Sequence, residues 1–108
     1  MADYKFVVLT NAVEGQDDAF NQWYDETHLG EVVALPGFSG ATRFRIHPTG
    51  DAALAHRYLA IYDMQTDDPA GTLANLNQAA RSGGLRMSGT MAPDVVTMLV
   101  EQIAQTAG

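Results

Sequence analysis

From Tyr4 to Asn11 the chain is almost continuously apolar, as in a β-strand covered on both faces. The period changes from Gln16 to Leu29. At about 100° per residue, Phe20, Trp23, Tyr24, Thr27 and His28 fall on one arc and Asp18, Gln22, Asp25 and Glu26 on the opposite one, which predicts an amphipathic helix with its acidic arc in water. Asp17 and Asp18 stand in the expected first turn, where negative charge meets free backbone donors. Gly30 marks the expected break, with a short helical turn from Glu31 to Leu35 beyond it. Phe38 to His47 alternates: Phe38, Gly40, Thr42, Phe44 and Ile46 on one face, Ser39, Ala41, Arg43, Arg45 and His47 on the other. Pro48-Thr49-Gly50-Asp51 is a turn signal. Arg57 to Met64 is a third strand, with Tyr58, Ala60, Tyr62 and Met64 opposing Arg57, Leu59, Ile61 and Asp63. Asp68 as cap and Pro69 at the first position open a second helix that runs to Arg81 and stops at Ser82-Gly83-Gly84. A loop from Leu85 to Pro93 leads to a last strand, Val95 to about Ile103.

The order strand, helix, strand, strand, helix, strand is the split βαβ arrangement of the ferredoxin-like α+β fold: a four-stranded antiparallel sheet with two helices on one face. Residues 1–108 form one domain without repeat or linker, long enough to bury roughly two thirds of the surface of the unfolded chain. One helical layer leaves the other sheet face bare. Rows such as Val7, Leu9, Leu59, Ile61, Val96, Met98 and Val100 are too much exposed apolar surface for a monomer, so a homodimer through the sheet faces, a dimeric α+β barrel, is expected.

Charge narrows the partners. Six Lys and Arg against 13 Asp and Glu give a net charge of −7, which opposes the basic surface a nucleic acid requires. The absence of cysteine excludes disulfides and thiolate catalysis. No apolar run approaches the ~20 residues of a membrane span, and Met1 to Lys5 carries no basic leader, so no membrane partner and a cytoplasmic location are expected. Arg43, Arg45 and Arg57 make up half of the cations and fall on two neighbouring strands. They either pair with surface carboxylates or orient an anionic or carbonyl-bearing ligand. His28, His47 and His56 lack the short spacing of zinc ligands, and Gly83-Gly84 follows a helix instead of opening one, so neither a metal nor a phosphate-bearing cofactor is expected.

The segments Asn11-x-x-Glu14-Gly15, Phe20-Asn21-x-Trp23-Tyr24-Asp25, His28-Leu29, Pro36-Gly37-Phe38 and Ala41-x-Arg43-Phe44 resemble the EthD-like branch of the dimeric α+β barrel superfamily. The resemblance covers the first half of the chain; the second half agrees in element order alone. It implies a ligand cleft between helices and sheet, in a superfamily that includes small polyketide cyclases, muconolactone isomerases and haem-degrading monooxygenases. Gly30 stands where similar sequences often carry proline after the His-Leu pair, so the resemblance implies a softer helix break here.

His28 has the side chain whose ordinary pKa lies nearest neutrality, which makes it the candidate general acid or base; its other reading is a helix-end histidine held by nearby carboxylates and carbonyls. Asn21 and Tyr24, two turns and one turn earlier, are candidate substrate-binding residues, as are Asn11, Arg43 and Tyr62. Tyr24 is otherwise core, and Asn11 otherwise caps the turn after the first strand. Which face of the third strand carries Tyr62 stays open. Two functions fit. One is a cofactor-independent acid-base enzyme (dehydratase, cyclase or isomerase) acting on a small oxygenated, aromatic or polyketide-like molecule; the other is a non-catalytic small-molecule binder or accessory dimer.

Overall fold

The structure, a computed structural model, describes residues 2–50 and 55–108, so the Asp51 end of the expected turn lies outside it. Strands β1 (Ala2–Thr10), β2 (Phe38–Arg45), β3 (Tyr58–Thr66) and β4 (Val96–Glu101) form one sheet in the order β2-β3-β1-β4, each neighbouring pair antiparallel. Between β1 and β2 run α1 (Asp17–Trp23), a π-helical segment (Tyr24–His28) and α2 (Leu29–Val33), continuous with one another; α3 (Pro69–Ser82) joins β3 to β4. This is the expected ferredoxin-like α+β fold.

Asp68 caps α3 by accepting a bond from the Gly71 N–H at 3.0 Å, and Gly83 ends it at φ 85°. The expected break at Gly30 does not occur. A glycine inside a helix costs only about 1 kcal/mol, and nothing at Gly30 calls for a positive φ, so the helix continues to Val33. The chain turns at Gly37 instead. There φ is 92°, and a Cβ would stand 2.8 Å from the Thr72 side chain, so only glycine fits.

The strand pairing settles the face of Tyr62. Phe6 pairs with Tyr62 and Val8 with Ala60, and the Tyr58, Ala60, Tyr62, Met64 row is buried against the helices. On β2 the simple alternation fails: a bulge between Phe38 and Gly40 sets Phe38 opposite Met64 and Gly40 opposite Asp63. The extra residue flips the parity, so Phe38 shares the helix-facing side with Ala41 and Arg43. The core therefore joins Phe20, Tyr24 and Val32 from the helix to Phe38, Tyr62 and Met64 from the sheet.

The described chain spans 41 × 40 × 20 Å, a slab one helical layer and one sheet thick. Its second face carries Val7, Leu9, Leu59 and Ile61 at the centre and exposed Phe44, Val96, Met98 and Val100 around them. β4 is shorter than expected, ending at Glu101, with Ile103 beyond it 94% exposed. Among the described residues no helix is long and apolar enough to cross a membrane.

Candidate functional site

The helix changes pitch where its aromatic residues lie. The Leu29 N–H donates to the Tyr24 carbonyl, five residues back, so the turn holds one residue more than an α-turn. In a regular α-helix residues five apart stand about 140° from each other, at about 100° per residue. The wider turn brings them into line. The Trp23 and His28 rings stack, with centroids 4.7 Å apart and planes 25° from parallel, and the Tyr24 ring meets His28 edge-on at 4.9 Å.

The Tyr24 and His28 side chains border a cavity of about 170 Å³ between the first helix, α3, the sheet and the segment before β4. Its polar lining is Tyr24, His28, Tyr62, Asn77 and Thr97; the rest is apolar, with Leu85, Met87 and Met91 supplied by the loop. His28 Nδ1 is buried and has no hydrogen-bond partner among the described residues. Burial lowers the His28 pKa to about 4; Glu31 nearby works against that shift and the Arg43 charge adds to it. At neutral pH the imidazole is therefore uncharged. The Tyr62 O–H donates to the Tyr24 oxygen at 3.0 Å, and burial raises the pKa of both phenols, so both remain proton donors. No acceptor for the Tyr24 hydroxyl hydrogen is seen among the described residues.

The segment Leu85 to Pro93, expected as a loop, does more than connect α3 to β4. It is a cover. The Trp23 indole N–H donates to the Arg86 carbonyl at 2.8 Å, while the Arg86 backbone N–H and Nε donate to the two Glu31 oxygens at 2.8 and 3.1 Å. At the other end the Val13 N–H reaches the Thr90 carbonyl at 2.7 Å and the Ala92 N–H reaches the Asn11 carbonyl at 2.9 Å. Three large apolar residues in a loop, Leu85, Met87 and Met91, were the available signal that it packs over something. Trp23, expected in the core, is half-buried against it and serves loop and imidazole together. Trp23→Ala is expected to destabilise by about 3 kcal/mol, near the low end for a tryptophan truncation. For a domain of this size that lowers Tm by roughly 10–20 °C. A thermal melt within two degrees of wild type would contradict these contacts.

The other candidate residues are not all gathered at this cavity. Tyr24, Tyr62 and His28 line it together. Arg43 lies behind Tyr24, with its guanidinium carbon 4.3 Å from the ring centroid, Nη1 on Asp25 at 2.7 Å and Nη2 on the Asn21 oxygen at 2.9 Å. Asn21 also donates to the Tyr58 hydroxyl at 3.3 Å. Arg43 and Asn21 border a separate cleft of about 550 Å³ lined mostly by charged and polar side chains. Asn11 is farther away, at a third cleft of about 480 Å³. Its amide nitrogen donates to the Ala55 carbonyl at 2.7 Å and to Asp94 at 3.0 Å, and its oxygen accepts from the Arg57 N–H at 2.9 Å, which fully employs the side chain as a tie between loops. Both clefts exceed the His28 cavity in volume. Arg43 and Asn11 already bond neighbouring groups, although Arg43 Nε, like His28 Nδ1, is buried without a partner among the described residues; the smaller cavity is the more apolar, as ligand pockets are. Arg57 pairs with Asp17 at 3.0 Å. Among the described residues no three His, Asp or Glu side chains converge on a metal position.

The imidazole leaves a signature in stability. The unfolded chain takes up the His28 proton near pH 6.5 and the folded chain only near pH 4, so the unfolded state binds more protons between those values. Stability is thus expected to fall as pH drops from 6.5 to 4, by on the order of 2 kcal/mol once residual solvent contact is allowed for. Chemical denaturation across that range should give a shallower slope for His28→Gln; identical slopes would place the histidine in water.

No protein-family profile matches the chain, and no curated protein matches it in sequence. Solved structures do match. MhuD, a heme-degrader from Mycobacterium tuberculosis, superposes with a TM-score of 0.67 at 16% identity, over 96% of this chain and 99% of its own. SnoaB, a cofactor-independent oxygenase from Streptomyces nogalater, gives 0.61 at 20% identity, over 98% and 97%. A dimeric ferredoxin-like protein from an uncultured marine organism gives 0.64 at 14%, over 98% and 100%. The matches are spread over differently described proteins, so the EthD-like branch expected from the sequence is not singled out. Identities this low carry the fold alone: the chain has a ferredoxin-like α+β architecture.

Proposed function

We propose that the chain binds a small, largely apolar, oxygenated molecule in the His28 cavity and moves a proton on it without a cofactor. The observation that carries this reading is the buried, unpartnered Nδ1 of a neutral imidazole beside a phenol with a hydroxyl hydrogen to give. His28 accepts a proton from an acidic O–H or C–H of the ligand. Tyr24, itself receiving a hydrogen bond from Tyr62 and backed by the Arg43 charge, donates to the oxygen on which negative charge develops. That nearby anion raises the proton affinity of the imidazole as transfer proceeds, which offsets its low resting value. The proton then returns to another atom of the ligand or to a leaving hydroxyl, giving isomerisation, cyclisation or dehydration. The fold accommodates chemistry without a cofactor in the Streptomyces oxygenase.

The low proton affinity of His28 also favours a second reading, a non-catalytic binder in which the imidazole only accepts a hydrogen bond. The functional unit in either case is a homodimer closed over the second sheet face. Trp23, the single tryptophan, is stacked on His28 and reports occupancy. Titration with oxygenated aromatics is expected to change its fluorescence, and Tyr24→Phe to weaken binding about 5–10-fold, the worth of one hydrogen bond to a neutral group. No spectral response to any such compound would count against the site. Binding without turnover would select the second reading.

A further inference from the structure

The size of the cavity limits what can enter it. Its volume, about 170 Å³, lies below the roughly 300–1,000 Å³ of pockets that hold drug-sized ligands and close to the ~150 Å³ of an apolar protein cavity that accepts one benzene ring. The loop that covers one side of it is tied at both ends, at Arg86 and at Thr90–Ala92, with half-exposed Met87 at the mouth. The Met87 and Met91 thioethers line it, and sulfur contacts aromatic ring edges favourably. Its polar side chains include the Tyr24, His28 and Tyr62 group on the first helix and β3, with Asn77 on α3 and Thr97 on β4.

We infer that the ligand is a single-ring phenol or enol, its hydroxyl donating to the His28 imidazole and its ring lying against the two loop methionines. The inference rests on the binding site proposed above and adds its substrate class. A fused polycycle or a porphyrin exceeds the space. Apolar area alone predicts the reverse ranking, because a second ring buries more surface at roughly 25 cal/mol per Å²; size and hydrophobicity therefore make opposite forecasts.

The test is a binding series with benzene, phenol and 2-naphthol, followed by calorimetry or by Trp23 fluorescence, on wild type, His28→Gln and Met87→Ala. Met87 is 45% exposed, so trimming it enlarges the mouth at little cost to folding. Wild type is expected to bind phenol at least tenfold more tightly than either benzene or 2-naphthol. His28→Gln is expected to erase the preference for phenol over benzene, and Met87→Ala to improve 2-naphthol binding about tenfold. If 2-naphthol binds wild type as tightly as phenol, with the same dependence on His28, the single-ring assignment is wrong while the site stands. If all three compounds fail to bind, the site itself is wrong and the assignment falls with it.

Discussion

His28→Gln is expected to leave the fold intact at pH 7 and to lower turnover of the bound substrate on the order of 10²–10⁴-fold, the usual contribution of a positioned acid or base. The two readouts separate because the histidine does different work in each. In the folded protein its ring is neutral and Nδ1 has no partner among the described residues, so glutamine of similar reach removes little hydrogen bonding and no ion pair. What is lost is the stacking on Trp23, a partial loss at most. In the proposed turnover the ring takes up and returns the proton, and an amide cannot replace it. Paired measurement of Tm and kcat decides the matter: equal kcat would sink the catalytic role, and an early melt with undiminished kcat would make His28 a structural residue.

The second large effect concerns the bare sheet face. Ile61 sits near its centre, flanked by Val7 on β1 and Thr42 on β2, and faces away from the helices. In the proposed homodimer two such faces pack together and Ile61→Glu buries two unpaired carboxylates. Leaving buried charges without partners costs several kcal/mol. At 1.4 kcal/mol per tenfold, a loss of about 4 kcal/mol raises the dimer dissociation constant on the order of 10³-fold. Sedimentation at micromolar concentration is expected to give twice the 11.6 kDa chain mass for wild type and the chain mass for the variant. A wild-type monomer at that concentration would contradict the barrel.

Much of this architecture was legible because it is written in local periodicity. The Phe20, Trp23, Tyr24, His28 arc and the Tyr58, Ala60, Tyr62, Met64 row both appear as sequence patterns, and each faces the core it implies. Features that hinge on one inserted residue were not legible. The bulge after Phe38 and the wide turn at Tyr24–His28 each shift a register by one, and the sequence pattern on either side looks the same with or without them. The sequence could name His28 but not its surroundings: the burial that depresses its proton affinity comes from packing against distant chain, including loop residues more than 50 positions later. Asn11 looked like a ligand donor or a turn cap because its three bonds, to Ala55, Arg57 and Asp94, all span more than 40 residues.

The cavity beneath the 85–93 loop is proposed to present the neutral His28 imidazole to an oxygenated ring. A crystal structure of the protein soaked with phenol tests it most directly. The phenol oxygen is expected about 2.7–3.0 Å from a His28 ring nitrogen, with the ring between Tyr24 and the Met87 and Met91 side chains. A structure in which Nδ1 is bonded to a protein group, with phenol bound elsewhere, would contradict it.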